Sequence, residues 1–153
     1  MRRAPLLLAG LALLAAACGH KGAVVAPELV RPEPPTNLAA SSTPEGVRLT
    51  WTRPTKYAGG QRMRDLGQFI IERADAETTP LWFVDAGTVE LMDQTRYRQE
   101  RRLQYVDQGV TPGHEYIYRV RARTTDGYDS PWAGPARVRF KPGAAAPDTP
   151  QSP

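Results

Sequence analysis

The side chains in this sequence that could do chemistry are one cysteine, two histidines and a regularly spaced set of arginines. Cys18 is the only thiol, so no internal disulfide can form, and one thiol with His20 and His114 does not complete a zinc ligand set. Arg119, Arg121 and Arg123 recur at every second residue, and Arg137 and Arg139 repeat the spacing. On extended chain, side chains two apart share a face, so five guanidinium groups on adjacent strands would form one cationic plate. Guanidinium binds phosphate and carboxylate in bidentate fashion, which would suit a phosphate, an acidic glycan or an acidic protein. The same five residues equally describe a solvated face that resists aggregation, balanced by neighbours such as Glu72.

Catalytic chemistry is harder to place. No Ser/His/Asp arrangement is recognisable, and the carboxylates are scattered without a pair that spacing puts on one surface. Gly59–Gly60 lacks the lysine and following helix of a phosphate loop. His114 falls in an expected turn, where a structural role suffices. We therefore expect no enzyme, no cofactor and no metal. Trp82 and Trp132 are expected as core or rim residues, with a binding role as the other reading.

The position of Cys18 explains it. Arg2 and Arg3 give a positive start, and Leu6–Ala17 is an unbroken apolar run of twelve residues. That is short of the roughly 20 residues a membrane-spanning helix needs, and it fits a secretory signal ending in small residues. The string LLAAAC at Leu13–Cys18 resembles the lipobox of bacterial lipoproteins, with Ala15 where that family prefers leucine. The resemblance implies a diacylglycerol-modified Cys18, cleavage before it, a palmitate-type acyl chain on the new amino terminus and a membrane partner held by covalent lipid. Two or three acyl chains hold firmly where one is marginal. Loss of residues 1–17 leaves 136 of 153 residues, and loss of Arg2 and Arg3 lowers the net charge from +4 to +2. With Gly19 after the cysteine, the same family's sorting rule implies the outer membrane, facing the periplasm, in a Gram-negative cell. Export also argues against nucleic acid as the partner of the Arg96–Arg102 stretch.

Residues 18–34 read as a lipidated, proline-rich tether. Fifteen extended residues would lift a domain roughly 40–50 Å from the lipid. Residues 142–153, rich in Ala, Pro and Gly, read as a disordered tail. Between them, residues 35–141 alternate. Val47, Leu49 and Trp51 oppose Arg48, Thr50 and Thr52; Phe69 and Ile71, then Leu103 and Tyr105, repeat the period. Tyr116, Tyr118, Val120 and Ala122 oppose Ile117, Arg119, Arg121 and Arg123, and Ala136, Val138 and Phe140 close the set. Short strands with one apolar face each need a second sheet to cover them, so the expected class is an all-β sandwich.

The segments PPTNL at Pro34–Leu38, VRLTWTRP around Trp51 and YVDQGVTPGHEYIYRVRA at Tyr105–Ala122 resemble the fibronectin type III domain, an immunoglobulin-like sandwich of about seven strands. The resemblance implies that Trp51 is the core tryptophan and Tyr116 the tyrosine of the corner motif, its hydroxyl bonded to nearby backbone. Two stretches are long for that family, residues 54–67 and 90–102, and loops on a rigid scaffold are where function of its own would sit. The expected function is a non-catalytic binding module for an envelope protein or glycan. The alternatives are a structural spacer or accessory subunit of an envelope complex, or a carbohydrate-binding accessory domain.

Overall fold

A computed structural model describes residues 26–91 and 101–143. Cys18, the signal-like segment, residues 92–100 of the second long stretch and most of the tail lie outside the described residues. The alternating segments become seven strands: β1 (Thr36–Thr43), β2 (Gly46–Thr52), β3 (Leu66–Asp75), β4 (Val84–Glu90), β5 (Arg102–Asp107), β6 (Glu115–Thr124) and β7 (Ala133–Arg139). They form two antiparallel sheets, ordered β1-β2-β5 and β4-β3-β6-β7. The chain is an all-β sandwich.

The core is built by period two. Val47, Leu49 and Trp51 of β2 face Phe69 and Ile71 of β3 and Tyr118, Val120 and Ala122 of β6, all essentially inaccessible to water. Trp51 and Phe69 meet with ring centroids 5.4 Å apart and planes tilted by 59°. Leu103, Tyr105 and Val138 pack partly buried around this centre, and Phe140 closes it just beyond β7. One position breaks the pattern: Ile117, expected to face outward with the arginines, is buried, opposite Ala74 on one side and Arg137 on the other.

The expected tether boundary needs correction. Residues 27–33 do not hang free but pack against the β2–β3 connection. Gly59 and Ala58 donate backbone hydrogen bonds to Leu29 and Arg31, Glu33 donates to Lys56, and Pro32 is buried in a bridge with Tyr57. The long 54–67 stretch is likewise an ordered hairpin. Lys56 bridges Arg62, Met63 donates to the Thr55 carbonyl and is buried, and the Tyr57 hydroxyl donates to Asp65 at 2.5 Å. Burial and that carboxylate push the Tyr57 pKa up to about 12.

Candidate interaction surface

The outer face of the four-stranded sheet carries the spaced arginines, and register decides what each one meets. Glu72 of β3 lies directly across from Arg119 of β6, and the Arg119 Nε donates to it at 2.8 Å. The Arg119 guanidinium also lies over Phe83 at 3.9 Å and over Trp132 at 4.3 Å, and Arg121 lies over the same indole at 4.5 Å. Arg123 grips Asp129 through Nε at 2.6 Å and a terminal nitrogen at 2.9 Å, and Arg121 approaches the same carboxylate at 3.1 Å. The hydrogen bond from Arg123 holds the Asp129 pKa below the usual carboxylate range. Arg139 pairs with Glu77 at 3.2 Å and donates to the Gly113 carbonyl.

The five guanidinium groups are therefore not a free cationic plate. Four are ion-paired with Glu72, Asp129 and Glu77, Asp129 being shared by Arg121 and Arg123, and two are braced by Trp132. Of these five, Arg137 is the one that is exposed with no ion pair to a described residue. Cation–π contacts of this kind contribute about 0.5–2 kcal/mol each, so the face is a structural brace.

Beside the brace lies a feature that composition does not reveal. The chain entering β4 exposes three apolar side chains around Phe83: Leu81 at 46%, Trp82 at 71% and Val84, the first residue of the strand, at 44%. Phe83 turns in under Arg119 and fixes the segment, which leaves Trp82 projecting. An exposed tryptophan flanked by aliphatic side chains is the kind of group that dominates binding interfaces.

Two further clusters hold the end of the sandwich where β3 meets the β5–β6 turn. The Tyr116 hydroxyl accepts a hydrogen bond from the Thr111 amide at 2.9 Å, which pins the corner between β5 and β6. Asp107 is buried at the end of β5. It accepts two bonds from Arg73 at 2.7 Å, one from the Tyr118 hydroxyl at 2.9 Å and one from the Gly109 amide at 2.9 Å. Desolvation and this carboxylate raise the Tyr118 pKa well above its ordinary value. His114 sets its Nδ1 2.7 Å from Asp75, whose other oxygen accepts from the Glu77 amide; these two contacts hold the Asp75 pKa down. Asp75, Glu77 and His114 bring ligand atoms within 4.8 Å of one another, but each is already engaged, Glu77 by Arg139. His114 stacks on Tyr116 at 6.2 Å, and the cluster serves the turn.

The sequence matches the fibronectin type III domain profile over residues 33–139. The chain belongs to the fibronectin type III family. Among solved structures it resembles titin module A71 from human cardiac muscle, with 21% identity, a TM-score of 0.53, and 74% of this chain and 97% of that one covered. It resembles the twitchin kinase region from C. elegans at 20% identity and TM-score 0.53, covering 76% of this chain and 18% of that one. Titin domains A168–A170 align at 22% identity and TM-score 0.51, covering 72% of this chain and 32% of that one. This chain thus spans a small part of the multidomain relatives and nearly all of the single module. At these identities the likeness is one of fold. The fibronectin type III domain is typically a non-catalytic module.

Proposed function

We propose that this chain is a membrane-anchored cell-envelope lipoprotein whose fibronectin type III domain is a non-catalytic binding module, with the Leu81–Val84 tip as its contact surface. The observation that carries the binding role is the 71% exposure of Trp82, between exposed Leu81 and Val84, on a segment held rigid through Phe83 and Arg119. A spacer gains nothing from such a group, which costs solubility. The anchoring role rests on the apolar run ending at Ala17 and on the single thiol after it. In a Gram-negative cell the expected site is the outer membrane, facing the periplasm.

Two measurements test the two halves. An alkynyl palmitate analogue should label the chain in its host, and Cys18→Ala should abolish the label; an unlabelled parent removes the anchor. A photo-crosslinking residue at Trp82 should capture a discrete envelope component that the same residue at Gln104, exposed on the other sheet, does not capture. The same pattern from both positions, or none from either, would leave the domain a spacer.

A further inference from the structure

We infer that the hairpin carrying Lys56, Arg62 and Arg64 docks the domain onto anionic phospholipid headgroups of the membrane that holds its anchor. The inference rests on the proposed lipidation of Cys18. It starts from the corrected tether. Because residues 27–33 are packed on the domain, only the eight residues from Cys18 to Val25 precede the first described residue, Ala26. Eight residues reach at most about 29 Å even when fully extended. The chain enters the domain at this hairpin, where Leu29 and Arg31 accept from Gly59 and Ala58. The hairpin is therefore the part of the domain kept nearest the lipid.

The exposed charged side chains of the hairpin are all cationic, and its one carboxylate, Asp65, is partly buried. Lys56 and Arg62 are directly opposed across an isolated antiparallel bridge, and both are exposed. Arg64 follows two residues on and is also exposed, while Met63 between the two arginines is buried. Like charges directly opposite each other on paired strands are destabilising, and an anion placed over them removes the penalty. No ion pair joins these three cations to a described carboxylate, and the neighbouring Asp65 is turned to the Tyr57 hydroxyl. Exposed Arg31 and exposed Glu33 lie alongside the hairpin through backbone bonds with Ala58 and Lys56 and carry opposite charges, so the positive excess rests on Lys56, Arg62 and Arg64. The brace arginines are bound to Glu72 and Asp129; Lys56, Arg62 and Arg64 are not, which is the difference between a structural face and one awaiting an anion.

A basic residue close to an anionic bilayer raises partitioning roughly fivefold, and the effect decays within a Debye length. The test uses the mature chain without lipid, residues 19–153, in which all seven strands and the core are intact. It should co-sediment with vesicles of phosphatidylcholine containing phosphatidylglycerol and not with phosphatidylcholine alone. Binding should be lost in 1 M NaCl, where the Debye length is about 3 Å. Replacing Lys56, Arg62 and Arg64 together by glutamine should lower partitioning roughly 100-fold with an unchanged melting curve. Lys141→Gln, at the opposite end, should bind as the parent does. Equal binding to the two vesicle types, or a triple variant that binds like the parent, overturns the docking. Neither result touches the palmitate label, so failure of the docking and failure of the anchor are separate outcomes.

Discussion

Asp107 is the residue whose removal should be felt most for its size. Its side chain is 3% exposed and satisfies three donors at once: the Arg73 guanidinium, the Tyr118 hydroxyl and the Gly109 amide. Asp107→Ala leaves a fully buried tyrosine hydroxyl without an acceptor and a guanidinium without its counter-charge. Breaking a buried pair from one side costs about 3–5 kcal/mol. Arg73 is 23% exposed and can recruit water, which puts the cost near the lower end, about 3 kcal/mol. For a domain of this length each kcal/mol moves the melting midpoint by about 4 °C, so a drop of about 12 °C is expected. Tyr118→Phe removes one donor and leaves Asp107 with two, at about 1 kcal/mol or about 4 °C. In the Asp107→Ala background the same tyrosine change should cost almost nothing, because the hydroxyl is already orphaned. The assay is a thermal melt of the four proteins at one buffer and pH. The reasoning is refuted if Asp107→Ala melts within 4 °C of the parent, or if Tyr118→Phe costs the same in both backgrounds.

Two further outcomes follow from buried groups and close approaches. Desolvation raises the pKa of Tyr118, Tyr57 and Tyr105 in the folded state. Above about pH 10 the unfolded chain ionises these tyrosines while the folded one keeps its protons, so stability present below that pH is lost as pH rises. Urea midpoints measured on either side of pH 10 should fall, and Tyr118→Phe should flatten the slope; a flat parent profile contradicts the desolvation. Separately, a Cβ on Gly46 would sit 2.2 Å from the Asp107 carbonyl oxygen, whereas one on Gly127 meets nothing within 4 Å. Gly127→Ala should cost only its left-handed backbone strain, about 1–2 kcal/mol. Gly46→Ala should cost clearly more, and equal losses on denaturant titration would show that the β1–β2 turn can yield.

What could be read from the sequence was what period two controls. Trp51, Phe69, Ile71, Tyr118 and Val120 lie inward because alternation on β2, β3 and β6 leaves them no other face. The sequence alone did not locate β4. Val84–Glu90 is an edge strand with little apolar alternation, and Gly87 within it makes room for the Tyr105 hydroxyl, which a Cβ would meet at 2.2 Å. Asp107 left a signal that went unused: it continues the inward series Leu103, Tyr105, so a carboxylate on the core face required a buried partner. Glu72 was legible as a balancing neighbour of the arginines, but the grip of Arg123 on Asp129 was not, because the β6–β7 turn alone brings them together. The docking of Pro32 was equally invisible, since proline favours a free extended chain and a packed one alike.

The two ends of the sandwich constrain each other. β3 runs ten residues from the hairpin end at Leu66 to Asp75, and Val84 pairs beside Arg73 at its far end. Seven residues of β3 separate Leu66 from Arg73, so at about 3.3 Å per residue Val84 lies about 23 Å along the strand from Leu66. The segment from Cys18 to Ala26 reaches about 29 Å at most. An inverted domain, with Trp82 buried in the bilayer and the hairpin uppermost, would hold most of that segment extended and forfeit conformational entropy, a cost of about 1–2 kcal/mol for each residue so fixed. The upright arrangement stretches nothing and sets Lys56, Arg62 and Arg64 against the headgroups. On the proposed anchoring, then, the exposed tryptophan serves the space beyond the membrane, and the partner it meets belongs to that space and not to the lipid below.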